Sequence, residues 1–434
     1  MTRTRSMGRD PAALTRPNRS MLWVAVGLGV FGLSNFVFLA LAGRDLGPET
    51  SAAVSVAWTL LNALGIGLFQ PLEQETGRRL SAARALGETG ADLRRMVRYA
   101  LVTGLLIVVV GLAGTPWIAD ALFGSAKDIV LVVVLGLLGQ ALAYYARGVL
   151  AGTGRFNRYG EQLAVDGTIR IVAALALYLT GAGNQFLYGI VLVVAPVAAT
   201  LLTARVSTLV KVARHAVAQR NGDGMLSLVA ASSSGQILAN LGPIAMAVMA
   251  TASQQSLSGR FVAAVTVARI PLFLFAAIQA VFLPALAALA ATHDVAGFRA
   301  SVRKALLASA ALGLLGVLAI AVLGHWVLWL IYGPEFTIDT PTLVLISISG
   351  ALFMLAQVFA QSLLAHHAER TVAMGWTLGI LGSVATLFVP LSLSVTVALA
   401  LCVGSAVALT SLALASRRTN RVWQASLKVT EPAQ

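Results

Sequence analysis

Two arginines stand where lipid-facing sequence ought to exclude them. Arg170 falls about nine residues into one apolar block and Arg269 about ten into another. At 1.5 Å per residue each lies roughly 15 Å from a surface, near the middle of a bilayer. A guanidinium at that depth costs about 2.5–3.5 kcal/mol on insertion scales, so it faces a cavity or a partner. The chemistry open to such residues is anion binding, because a planar, permanently charged fork fits phosphate or carboxylate through two hydrogen bonds. Arg147, Arg155 and Arg158 crowd the connection before the block that holds Arg170, and Arg260 stands at the outer mouth of the Arg269 helix.

Each arginine has a structural alternative. Asp166 lies four residues before Arg170, so an ion pair on one helix face competes with ligand contact, and the two are compatible. Arg269 has no acidic residue within helical reach; its alternative is capping of the carbonyl that Pro271 leaves without a donor. All 17 Asp and Glu are expected in loops, tails or span ends. Those closest to lipid depth are Glu73, Glu75, Glu161 and Asp166. Glu73, Glu75 and Asp166 are candidates for gating or ion coupling, against a plain solvated helix end for the first two. A cavity with cations and no carboxylates suits an anionic ligand and disfavours a cationic drug.

Neutral polar residues complete the candidate set. Ser232-Ser233-Ser234-Gly235-Gln236, then Asn240 and Gly242-Pro243, form an unusual run inside a span. It reads either as tight packing through small residues or as a bent helix lining a cavity. Asn35 in the first span matches Asn240. Gln70, Gln140, Gln279, Gln357 and Gln361 could meet hydroxyl groups or hold helices together.

Catalytic motifs are missing. No Gly-rich loop ending in Gly-Lys-Ser/Thr is present, so P-loop hydrolysis of ATP is excluded. No His, Cys or acid cluster has metal spacing; His366-His367 is an adjacent pair in a short loop. Cys402 is the sole cysteine, which rules out an intrachain disulfide and a redox pair. No enzyme activity, metal or cofactor is expected.

The elements that must position these residues follow from composition. The chain has 434 residues, 58% hydrophobic and 11% charged, with mean hydropathy +0.84. Soluble domains carry about 25% charged residues, so this is an all-α integral membrane protein. Windows of about 20 apolar residues predict spans near 21–43, 50–72, 99–119, 128–150, 161–181 and 186–206, then 226–250, 259–285, 304–325, 341–365, 371–390 and 395–416. The segments that face inward, if the N-terminus is cytoplasmic, hold 26 of the 31 Lys and Arg. That bias predicts twelve spans with both termini in the cytoplasm. The net charge of +14 then faces anionic membrane lipid, and nucleic acid is not a partner.

The chain repeats at about half its length. Leu33-Ser34-Asn35 is echoed by Leu238-Ala239-Asn240, and Phe69-Gln70-Pro71 by Phe282-Leu283-Pro284. Trp117, five residues, then Phe123-Gly124 matches Trp326, five residues, then Tyr332-Gly333. Tyr145-Ala146, three residues, then Leu150-Ala151 matches Phe359-Ala360, three residues, then Leu364-Ala365. The echoes come in order. They predict two six-helix bundles, 21–206 and 226–416, related by a pseudo-two-fold along the membrane normal. A cytoplasmic basic tail at 1–20, a cytoplasmic linker at 207–225 and a cytoplasmic tail at 417–434 complete the chain. Such a build places a substrate site between the halves.

Pro71-Leu72-Glu73-Gln74-Glu75 closes the second span, and Arg147-Gly148-Val149-Leu150-Ala151-Gly152 leads through Phe156 and Tyr159-Gly160 to Arg170. With the two six-span halves, these residues resemble the multidrug/oligosaccharidyl-lipid/polysaccharide exporter superfamily. Within it the chain is similar to bacterial polysaccharide biosynthesis proteins of the O-antigen flippase type. A major facilitator is disfavoured, since Gln70, Gln74 and Glu75 occupy the Gly, Asp and Arg places of its loop motif. The resemblance implies a multi-pass protein of the bacterial cytoplasmic (inner) membrane that works by alternating access. The substrate would be a polyprenyl-diphosphate-linked oligosaccharide, with a polysaccharide polymerase and glycosyltransferases as partners. Arg170 and Arg269 would hold the diphosphate, Arg147 and Arg260 would help at the two mouths, and Asn35, Gln236 and Asn240 would meet sugar. A peptidoglycan-precursor flippase, a cation-coupled multidrug exporter of the same fold, and a non-transporting scaffold of a polysaccharide assembly complex remain as alternatives.

Overall fold

The computed structural model describes residues 19–85, 92–204, 225–272, 275, 282, 286, 289–290 and 292–430. Among them all regular structure is helical. The order is α1 (Arg19–Ala85), α2 (Arg94–Ala113), α3 (Thr115–Leu122), α4 (Lys127–Gly152), α5 (Phe156–Thr180), α6 (Gln185–Thr203), α7 (Met225–Met249), α8 (Gln255–Ala268), α9 (Val295–Tyr332), α10 (Thr340–Leu364), α11 (Glu369–Thr386) and α12 (Leu393–Thr430). Gly47, at φ 69° and ψ 173°, breaks α1 into two rods. Only glycine takes that conformation cheaply, and Pro48 then starts the second rod with a fixed φ. With α1 counted twice and the short α3 set aside, twelve rods cross the molecule.

Among the described residues, eight stretches are long and apolar enough to cross a membrane, the first being Trp23–Ser81, which Gly47 divides. Leu101, Leu105, Leu318, Val322 and Met374 are exposed on the outside of the helices. In water such a belt would be a liability; in lipid it is the solvent-facing surface. The chain is a multi-pass membrane protein.

Two lobes result. The first packs α1 against α4, α5 and α6; the second packs α7 against α11 and α12, and α10 against α9 and α12. The second rod of α1 forms the seam, lying on α7 and α8. The repeated residues share environments. Trp117 and Trp326 are exposed while Phe123 and Tyr332 are buried, and Gly124 and Gly333 both take positive φ. Ala146 and Ala360 are buried alike.

Helices outrun the predicted spans. α1 continues from 72 to Ala85, α9 begins at Val295 rather than 304, and α12 runs on to Thr430 rather than ending at 416. An apolar window measures the bilayer, whereas caps and ion pairs decide where a helix stops. Glu75 pairs with Arg78 and Arg79 at 2.7 Å, and the Asp294 carboxylate accepts from Gly297 N at 2.8 Å to start α9. The tail predicted after 416 is therefore a continuing helix as far as Thr430, held by Trp423, whose ring packs 5.5 Å from Phe298. The linker at 207–225, apart from Met225, and nearly all of the 1–20 tail lie outside the described residues.

Candidate functional site

The first lobe neutralises its buried cations. Arg170 lies on α5, 4% exposed, and its Nε donates to Asp166 Oδ1 at 2.7 Å. Its Nη1 donates to Asn35 Oδ1 at 3.1 Å, and the guanidinium sits 4.8 Å from the centre of the Phe31 ring. Trp58 Nε1 donates to the same Asn35 oxygen at 3.1 Å. The sequence places Asp166 at a span end. However, α5 begins at Phe156 rather than 161, so Asp166 is well inside the helix and buried. The ion-pair alternative for Arg170 is thus the geometry adopted.

A second pair lies nearer the end of the lobe where the basic loops gather. Arg147 on α4 donates to Glu73 at 3.0 Å, Tyr159 OH donates to the other Glu73 oxygen at 2.8 Å, and the guanidinium lies 4.0 Å over the Tyr144 ring. Helices α1 and α4 approach closely here because Gly148 carries no Cβ; one would stand 2.7 Å from Glu73 O. Tyr144 feels the charges of both pairs, Arg147 with Glu73 and Arg170 with Asp166. All three gating candidates are therefore partnered: Glu73 by Arg147, Glu75 by Arg78 and Arg79, Asp166 by Arg170.

The second lobe does the opposite. Arg269 caps the C-terminal end of α8, where Pro271 follows, and its Nη1 donates to Asn240 Oδ1 at 3.4 Å. Among the described residues it meets no carboxylate. At 14 residues past Gln255 it lies about 21 Å along the helix from that end. Arg260, on the same helix, is half-buried, and its Nε has no hydrogen-bond partner among the described residues. Asn240 donates to Gln236 O at 2.9 Å and approaches Gln236 Oε1 at 3.4 Å. Asn35 repeats that device, donating to Phe31 O at 3.1 Å. In each lobe an asparagine on the first rod thus presents its oxygen to an arginine.

The Ser232–Gly235 part of the polar run is small-residue packing in an unbroken helix. Ser232 Oγ donates to Ile66 O at 3.2 Å, and a Cβ on Gly67 would stand 2.9 Å from Ser233 Cα. Gln140 fills the space beside Gly65 and Gln361 is buried, whereas Gln70 is exposed; Gln279 lies outside the described residues. The lobes also meet at the face opposite the basic loops. Arg44 Nε donates to Ile331 O at 2.7 Å and its Nη2 to Leu330 O, while Gly259 packs directly on Pro48 O.

Sequence comparison gives relatives but no family: no family model matches the chain. A protein of Mycobacterium tuberculosis described as uncharacterised is 27% identical over 92% of this chain and 93% of its own length. A second uncharacterised protein of that organism is 25% identical over 94% and 93%. Solved structures are more informative. An inward-facing multidrug resistance MATE family transporter of the MOP superfamily superposes with TM-score 0.69 at 15% identity, over 94% of this chain and 99% of that one. The fold is that of the MATE transporters. The outward-facing conformation of such a transporter gives 0.63 at 16% identity, over 93% and 95%. A MOP superfamily transporter from Pyrococcus furiosus, described by a reversed polarity of its binding pocket that suggests a different function, gives 0.64 at 16%, over 93% and 95%. The MATE-like fold accounts for the two lobes.

Of the predicted site residues, Arg170, Asp166 and Asn35 form one cluster, Arg269, Asn240 and Gln236 a second, and Arg147 with Glu73 a third. Trp58 and Tyr144 escaped the sequence reading, since an aromatic in an apolar block carries no signal of what its edge or face will meet.

Proposed function

We propose that the protein is a flippase that moves a polyprenyl-diphosphate-linked oligosaccharide across the bacterial cytoplasmic membrane by alternating access, for cell-surface polysaccharide assembly. The observation that carries this is Arg269: a guanidinium deep in the membrane with one hydrogen bond, to Asn240, and no carboxylate among the described residues. A diphosphate supplies the charge and the acceptor oxygens that such a group lacks. Arg260, whose buried Nε has no partner among the described residues, serves the same anion at the mouth, and Gln236 and Asn240 meet sugar hydroxyls. Arg170, in the first lobe, acts through Asn35 of the same lobe, and Arg147 stays with Glu73 until the lobes move. The closed seam at Arg44 and Gly259 and the better superposition on the inward-facing transporter support a resting state open toward the cytoplasm, where both termini lie.

A multidrug exporter is the second reading, favoured by the description of the MATE neighbours. It wants a carboxylate free for a cationic drug or a coupling ion, and Glu73, Glu75 and Asp166 each hold an arginine. A peptidoglycan precursor shares the diphosphate and uses the same arginine. A scaffold of a polysaccharide assembly complex, working with a polymerase and glycosyltransferases, has no use for Arg269. The test is flipping of a fluorescent polyprenyl-diphosphate oligosaccharide in proteoliposomes holding this protein alone. Movement by the wild type, lost in Arg269→Ala with the fold intact, supports the proposal; equal movement by both overturns it.

A further inference from the structure

Where the lobes part at the basic face, a cavity of about 630 Å³ lies between them. The first lobe lines it with Arg79, Arg95, Arg98, Tyr99 and Val102, the second with Met225 and Leu226. Residues 95, 98, 99 and 102 share one face of α2, so its wall runs from two guanidinium groups to bare hydrocarbon within about two turns. Arg95 and Arg98 are exposed and meet no carboxylate among the described residues. Arg79 at the back is held by Glu75 at 2.7 Å, and Tyr99 is fixed by its hydroxyl, which donates to Leu68 O at 2.9 Å. Val102 and Leu226 are 60% and 75% exposed, so the cavity opens sideways, onto lipid.

We propose that this cavity seats the phosphate headgroup of an anionic phospholipid from the leaflet at the basic face. Basic pockets between transmembrane helices on this side recognise lipid phosphates. The apolar continuation along Val102 and Leu226 takes the start of the acyl chains, which a free phosphate would leave unused. Because both lobes form the wall, the occupant senses their separation. A lipid that fits this spacing better than a closed one holds the lobes in the arrangement seen here. The site goes beyond the cargo proposed above and shares no residue with the Arg269 cluster.

The test is native mass spectrometry of the full-length protein in detergent, titrated with phosphatidylglycerol, with phosphatidylcholine, and with phosphatidylglycerol in the presence of inorganic phosphate. One phosphatidylglycerol is retained per wild-type chain, and the Arg95→Gln/Arg98→Gln variant weakens it about tenfold or more. Arg417→Gln/Arg418→Gln, which removes the same charge from an exposed stretch of α12, leaves it unchanged. Met225→Ser/Leu226→Ser weakens it with no change of charge, and Arg269→Ala binds as the wild type does. Equal loss in the α12 variant, equal retention of phosphatidylcholine, or full displacement by inorganic phosphate overturns the proposal. These readouts need no transport, so they stand or fall apart from the flippase assay.

Discussion

Arg170 and Asp166 lie one turn apart on α5 and their side chains meet at 2.7 Å, both out of contact with lipid and water. Removing one partner strands the other. Asp166→Asn is expected to lower stability by about 3–5 kcal/mol, whereas Asp166→Leu/Arg170→Met restores most of it, because two well-packed apolar residues avoid the desolvation cost of both charges. Thermal unfolding in detergent measures both. A double variant no more stable than the single one would show that the pair also holds Asn35 in place.

Arg269 should behave in reverse. With no carboxylate to strand among the described residues, Arg269→Leu is expected to leave the melting temperature equal or higher, since it removes a desolvated charge. Flipping should fall by at least about a hundredfold, as when a buried group that contacts a developing or bound charge is lost. Melting and proteoliposome assays on one preparation check the two halves of the expectation.

Arg44 ties the first lobe to the end of α9 through Ile331 O and Leu330 O. Arg44→Ala removes hydrogen bonds worth about 1.5 kcal/mol, enough to raise the population with this face open roughly tenfold. Cys402 is the sole native cysteine and is buried, so labelling of a Ser258→Cys probe beside Gly259 reads that opening directly. Unchanged labelling would place the lock elsewhere along the seam.

His366 stacks on Phe298 and Trp423, with centroids 4.9 Å away in each case, and its Nε2 lies 3.1 Å from Asn420 Oδ1. Burial lowers its pKa; Asn420 raises it in part and the neighbouring His367 lowers it further. The folded state therefore prefers the neutral ring. Its contribution is complete above the unfolded value of about 6.5 and declines as pH falls from there toward the folded pKa. The melting temperature should drop between pH 7 and pH 5, and less so in His366→Gln, with Trp423 fluorescence following the same curve.

The twelve rods, the two lobes and the paired Asn35 and Asn240 were legible because each rests on local pattern: apolar windows, charge bias and a repeat. Asp166–Arg170 was legible as an (i, i+4) spacing, with ligand contact left open beside it. Glu73–Arg147 was not, since 74 residues separate partners that only the packing of α1 on α4 brings together. Trp58 is the clearest omission. Its indole N–H matters only because the second rod of α1 folds back at Gly47 and lies beside the first. Helix ends failed for a different reason: hydropathy stops at the lipid boundary while α1, α9 and α12 continue beyond it on caps and ion pairs.

Arg269, which meets no carboxylate among the described residues, would also make such a carrier an electrical device. One uncompensated elementary charge crossing the full membrane voltage is worth about 2.3 kcal/mol per 100 mV. The first lobe, its buried arginines cancelled by Asp166 and Glu73, contributes almost nothing to that movement. An empty carrier that rocks its second lobe through the field would thus move positive charge, and one carrying a diphosphate would move negative charge. The two half-cycles would move charges of opposite sign in opposite directions, so an interior-negative cell would speed the loaded outward step and the empty return alike.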